Sequence, residues 1–146
     1  MNAAAPLRLT REAAPASEDV QAISDGLDAY NAKFLPGYDL APKPRHIVGR
    51  DTDGVVCAGV RFWIGVDWAM VEWLWVAEAH RGAGVGTKLL GAVEAEAREN
   101  NCRGVYLDTF SFQAPNFYAR FGYGEFGRVR DCPAGFDRIW LQKRFA

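Results

Sequence analysis

Histidine is scarce in this chain. His46 and His80 are the only two, they lie far apart, and neither has a glutamate at metal-ligand spacing. That argues against a metal-dependent hydrolase, and no metal is expected. Cys57, Cys102 and Cys132 form no CxxC or CxxxxC pair. An odd, unclustered set supports neither a disulfide framework nor a zinc site, so reduced thiols and a cytoplasmic location are expected. No window approaches the ~18 apolar residues of a membrane-spanning helix. The stretch from Met1 to Leu9 lacks the apolar run of a signal peptide. Charge nearly cancels, with 17 Lys and Arg against 18 Asp and Glu for a net −1. Without a basic field, nucleic acid is not an expected partner. There is no repeat, no biased tract and no linker.

What remains suits one soluble α/β domain over residues 1–146. Apolar residues make up 49% and aromatics 13%, with five tryptophans. Aromatics at that level fill a core and also line pockets for organic ligands. Leu7 and Leu9 alternate with polar neighbours and predict a short first strand. Ser17 is the expected N-cap of a helix whose apolar face is Val20, Ile23, Leu27, Tyr30 and Phe34. Pro36-Gly37 ends it. Strands are predicted from His46 to Gly49, Val55 to Val66 and Ala69 to Val76, with hairpin signals at Asp53-Gly54 and Asp67. A second helix runs from Gly84 to Asn100, with Val85, Leu89, Ala92, Val93 and Ala97 on one face and Glu94, Arg98 and Glu99 outward. Then come a strand over Val105–Phe110, a short helix over Ala114–Phe121, and strands over Tyr123–Val129 and Phe136–Phe145. The order is β-α-β-β-β-α-β-α-β-β.

The most informative segment joins the strand ending Leu74-Trp75-Val76 to the second helix through Arg81-Gly82-Ala83-Gly84-Val85-Gly86-Thr87. A helix N-terminus leaves about four N–H groups unpaired and carries partial positive charge. Glycines there let the backbone approach a pyrophosphate. A Walker loop is excluded, because Gly86-Thr87-Lys88 reverses the Lys-Thr order and position 81 is arginine. A dinucleotide fingerprint is excluded, because Thr87 stands where its third glycine belongs.

Arg81 to Gly86 does match the R/Q-x-x-G-x-G/A loop of the GNAT N-acetyltransferases. Ala114-Pro115-Asn116-Phe117-Tyr118-Ala119-Arg120-Phe121-Gly122-Tyr123 resembles the A-x-x-x-Y-x-x-x-G-F/Y segment of the same family. The resemblance implies the GNAT fold, a mostly antiparallel central sheet flanked by helices. It implies an acyltransferase of the EC 2.3.1 type that moves an acetyl group from acetyl-CoA to a primary amine of a small molecule or peptide. The amides of Arg81, Gly82, Ala83, Gly84, Val85, Gly86 and Thr87 would hold the CoA pyrophosphate, with the Thr87 hydroxyl adding a bond. Leu74, Trp75 and Val76 would pair with the pantetheine through their backbone. Tyr118 matches the family tyrosine that protonates the leaving thiolate; the competing reading is a core aromatic. Ser111 stands where the family usually has asparagine, and Asn116 is a candidate for the missing contact.

A protonated amine must lose a proton before it attacks. Glu72, the one charge in an apolar strand, is a candidate base whose burial would raise its pKa. The alternative is a structural role paired with an arginine such as Arg61. Asp108 is a second candidate base. Tyr30, Phe34, Tyr38, Trp63, Trp68, Phe110, Phe112, Asp131 and Asp137 are candidates for the acceptor pocket, and aromatics with acids suit an organic cation. The aromatic excess and the last hairpin suggest a homodimer. The rival reading is a non-catalytic acyl-CoA sensor of the same fold.

Overall fold

A computed structural model describes residues 4–146. The chain divides into two compact units, Met1–Tyr38 and Asp39–Ala146.

The first unit contains helix α1, Ser17–Asn31. Its cap is Ala16, in an extended conformation and without a side-chain bond. Ser17, expected as the cap, is already helical, because the N–H groups of both Asp19 and Val20 reach the Ala16 carbonyl. Glu18 and Asp19 in the first turn complement the helix dipole. The apolar row forms as predicted, yet Val20, Ile23, Leu27 and Tyr30 are each more than half exposed. The strand predicted at Leu7 and Leu9 does not form. Among the described residues their unit contains no strand to supply hydrogen bonds, and a lone strand is not stable in water.

The second unit is built on β1 (Arg45–Arg50), β2 (Val56–Gly65), β3 (Trp68–Val76), β4 (Gly104–Phe110), β5 (Gly124–Val129) and β6 (Arg138–Arg144). They form one sheet in the order β1-β2-β3-β4-β6-β5. Every pairing is antiparallel except β3–β4, which needs the crossover helix α2, Val85–Glu99. A short helix α3, Pro115–Ala119, links β4 to β5. This is the mixed α/β sheet expected from the sequence, without its first strand.

One sheet face meets α2. Phe62, Val105 and Leu107 of the sheet are fully buried with Leu90 and Val93 of the helix. Glu94 corrects the predicted helix face, since it is buried, not outward. Its carboxylate accepts hydrogen bonds from Tyr123 Oη (3.1 Å), Lys143 Nζ (3.0 and 2.9 Å) and Arg98 (3.4 Å). Three donors offset the loss of water around the charge. The opposite sheet face carries all five tryptophans. Trp63, Trp68 and Trp73 share it through the pairs Trp63–Met70, Gly65–Trp68 and Arg61–Trp73; Trp75 and Trp140 share it through Gly59–Trp75 and Asp108–Trp140.

The β2–β3 turn and the buried glutamate each invite a stability test. The turn places Val66 at φ 44° and Asp67 at φ 69°. A β-branched residue resists that region, whereas asparagine tolerates it. Val66 is half exposed, so little packing is at stake. Val66→Asn should raise stability by about 1 kcal/mol and the melting temperature by roughly 3 °C. An unchanged melting curve would mean the turn is unstrained. Lys143→Met removes one donor from buried Glu94 and should cost about 3 kcal/mol in urea unfolding, with much of that recovered in the Glu94→Met/Lys143→Met double variant.

Candidate active site

β3 and β4 run side by side for only three residue pairs: Ala69–Val105, Met70–Tyr106 and Val71–Leu107. Beyond them the strands part. The cause lies on the other side of β3. Phe62 of β2 pairs with Val71, but Arg61 pairs with Trp73, so Glu72 is an extra residue in a bulge. A bulge bends its strand and ends regular pairing. From Trp73 to Val76, β3 keeps its bonds to β2 and has no strand partner on the β4 side among the described residues.

The gap opens into a cleft of about 910 Å³. One wall is β3, with Glu72, Leu74, Trp75 and Val76; the facing wall is β4, with Leu107, Asp108 and Thr109. The glycine loop and the first turn of α2 close one end, and Phe117 and Tyr118 of α3 line it beside them. The structure therefore brings Leu74, Trp75, Val76, Arg81, Gly82, Gly84, Val85, Gly86, Thr87, Tyr118 and Glu72 into one cavity. Ala83 and Asn116 are exposed and lie outside its lining.

The loop has the form of an anion cradle. Gly82 and Gly84 take φ of 77° and 78°, which glycine alone adopts easily. A Cβ at either would meet no protein atom within 4 Å, so each glycine leaves open space. The first helical bond runs from Lys88 N–H to the Gly84 carbonyl. The six N–H groups from Gly82 to Thr87 thus have no acceptor among the described residues. The Arg81 side chain donates through Nε to the Val76 carbonyl (3.0 Å), tying the loop to the end of β3. Gly86 is needed for another reason: a Cβ there would lie 3.3 Å from the Phe117 ring. This backbone fits a pyrophosphate.

Glu72 departs from expectation. Its carboxyl is held below the ordinary value, not raised. Trp63 Nε1–H donates to Oε2 (2.9 Å), which is the largest cause, and Arg61 Nε–H donates to the same oxygen (2.7 Å). The bulge turns the side chain toward these donors and out of the core, so burial does not control it. The pairing with Arg61 is the alternative that the sequence left open, and it coexists with a place in the cleft.

Tyr118 is largely buried and packs against Phe117 and Tyr123. Burial first, and the Asp108 carboxylate second, push its phenol upward, so it stays protonated across the neutral range. Its hydroxyl makes no hydrogen bond among the described residues. Ser111 ties the end of β4 to the last hairpin. Its Oγ accepts from Asp137 N–H (2.9 Å), and its own N–H donates to the Asp137 carbonyl (2.8 Å). Of the other acceptor-pocket candidates, Phe112 lines the cleft and stacks on Phe110 with centroids 5.1 Å apart. Trp63 donates its indole N–H to Glu72. Trp68 lies at the far end of β3, over Tyr106. Asp137 pairs with Arg128, and Asp131 sits in the last hairpin, where its carboxylate accepts from Gly135 N–H. Tyr30, Phe34 and Tyr38 belong to the first unit. Sequence reasoning missed His80, Gln113, Phe117 and Arg120, which also line the cleft. Their one sequence signal was adjacency to the loop or to Tyr118.

Comparison with known proteins agrees with this geometry. Residues 9–123 match the Acetyltransferase (GNAT) family. The chain is 36% identical over 129 residues to acetyltransferase Atu2258 of Agrobacterium fabrum, covering 88% of this chain and 93% of that one. It is 40% identical over 91 residues to blasticidin-S acetyltransferase of Streptomyces morookaense, covering 62% and 67%. The crystal structure of an acetyltransferase from Bacillus cereus superposes with a TM-score of 0.82 at 31% identity, covering 93% of this chain and 98% of that one. No helix among the described residues is long and apolar enough to cross a membrane. A strand-loop-helix cradle beside a forked sheet, in a chain matched to this family over most of its length, supports one conclusion: the chain belongs to the GNAT family of acetyltransferases.

Proposed function

We propose that residues 1–146 act as one acetyltransferase domain that moves the acetyl group of acetyl-CoA to a primary amine. The carrying observation is the row of six unpaired N–H groups from Gly82 to Thr87, opening on a cleft whose wall holds Tyr118. Acetyl-CoA supplies a thioester, whose acyl carbon an amine can attack. In this reading the loop amides and the Thr87 hydroxyl hold the pyrophosphate. The free side of Leu74, Trp75 and Val76 receives the pantetheine amides, as a sheet edge receives a strand. Asn116 and Ala83 border that site.

Tyr118 donates its hydroxyl hydrogen to the leaving sulfur. A phenol raised by burial is a weaker acid than a thiol of pKa about 8.5, so the hydroxyl stabilises the thiolate mainly by hydrogen bonding. Glu72 accepts from the amine through Oε1, which receives no hydrogen bond among the described residues. With its carboxyl held low, it is a weak base that hands the proton on to water. The acceptor is a small molecule or peptide amine; the antibiotic acceptor named for the Streptomyces relative supports the small-molecule branch. A cytoplasmic location is supported by three free cysteines, and a homodimer by the aromatic excess of the chain. No metal, nucleic acid or membrane enters the reading.

Calorimetry with acetyl-CoA and with ATP tests the ligand: acetyl-CoA should bind, and ATP binding alone would overturn the reading. Gly84→Ala puts a methyl group into open space over the cradle. It should weaken acetyl-CoA at least tenfold, about 1.4 kcal/mol. An unchanged Kd would place the pyrophosphate elsewhere. For chemistry, Tyr118→Phe should lower kcat roughly 10- to 100-fold with little change in acetyl-CoA affinity. Because the phenol stays protonated, the deficit should be constant from pH 6 to 9. A fully active variant would make Tyr118 a packing residue.

A further inference from the structure

Glu72 and Asp108 occupy equivalent places on the two arms of the fork. Val71–Leu107 is the last pair joining β3 to β4, so each acid is the first residue past it on its own strand. Both line the cleft. Each is gripped in the same way, by the Nε–H of an arginine on the neighbouring strand and through one oxygen. Arg61 donates to Glu72 Oε2 at 2.7 Å, and Arg138 donates to Asp108 Oδ2 at 2.7 Å. Each arginine is in turn held against aromatic rings. Arg61 lies 4.8 Å from the Trp73 ring and 5.3 Å from Trp63; Arg138 lies 5.2 Å from Trp140 and 5.6 Å from Phe110. The remaining oxygens, Glu72 Oε1 and Asp108 Oδ1, accept nothing from the described residues.

We propose that Asp108 is a second acceptor-binding residue. With Glu72 it seats the ammonium group of the acceptor, each carboxylate taking one N–H through its free oxygen. The proposal deepens the acetyl-transfer reading and rests on it. An alkylammonium is a pure donor with three N–H groups, matched to two fixed acceptors. A carboxylate with one oxygen tied to a stacked guanidinium cannot rotate freely, so its other oxygen is oriented before the ligand arrives. The arginines offset the negative charge of the acids. Selectivity therefore comes from placed acceptors more than from net field, and a simple ammonium should bind only weakly. The cleft is polarised to suit two ligands. Arg81, Arg120 and the start of α2 line it along the loop and α3, where an anion is proposed, and the two acids stand at the fork.

The test uses n-butylammonium chloride and n-butanol as matched probes, read by proton–nitrogen NMR at the Trp63 indole N–H, which bonds directly to Glu72. Butylammonium should shift that signal saturably in the millimolar range, and butanol should not. Asp108→Asn, which leaves Glu72 and the reporter in place, should weaken butylammonium at least fivefold. Equal shifts from butanol, or an unchanged Kd in Asp108→Asn, would overturn the proposal. If Asp108→Asn loses its dispersed indole signals, Arg138→Lys replaces it; by releasing the grip on Oδ2 it should weaken the cation threefold or more, and no change would again overturn the proposal. Acetyl-CoA calorimetry on the same samples separates the two readings. Acetyl-CoA binding without butylammonium binding removes the seat and leaves the transferase. Asp108-dependent butylammonium binding without acetyl-CoA binding keeps the seat and removes the transferase.

Discussion

Three parallel pairs join β3 to β4, and the cleft exists because there is no fourth. Parallel strands in a sheet normally continue until one of them ends. Here β3 goes on to Val76 and β4 to Phe110, yet their pairing stops at Val71 and Leu107. One inserted residue, Glu72, shifts the register with β2 and swings the second half of β3 away. The free strand edge, the two acids at the fork and the cavity between the arms all follow from that insertion.

The parting would be costly if the arms were not held from outside. β3 stays bonded to β2 up to the Ala58–Val76 pair, and Ala77 N–H continues to the Cys57 carbonyl at 2.8 Å. β4 pairs with β6 along its full length, from Gly104–Arg144 to Phe110–Arg138. α2 packs under both, with Leu90, Val93 and Ala97 in the core. The charged cluster of Glu94, Tyr123 and Lys143 pins the far side of that helix to β6 and to the residue that precedes β5. Each arm has its own support, so the opening between them needs none of its own.

Much of this was legible from local pattern. The glycine loop, the helix after it and the place of Tyr118 depend on spacings within a few residues, and those spacings are visible in the chain. The bulge was not legible, because one extra residue in β3 becomes an insertion only against the register of β2. The same limit hid the state of Glu72. Its apolar flanks suggested desolvation, but its donors lie nine and eleven residues earlier, on another strand. Glu94 was misplaced for a related reason: a helical wheel assigns a glutamate to water, and two of the donors that make its burial tolerable, Tyr123 and Lys143, lie 29 and 49 residues later. Leu7 and Leu9 show the opposite error, a local alternation with no partner strand among the described residues of its unit.

Between α2 and α3 the clearance is narrow. Gly86 and Phe117 are more than thirty residues apart in the chain, and an added methyl group at 86 would stand only 3.3 Å from the ring. That gap is tighter than ordinary carbon contact, and close-packed interiors yield little at such points. Positions 86 and 117 are therefore not free to drift separately. A larger residue at one demands a smaller one at the other, and among descendants of this sequence the two should change as a couple.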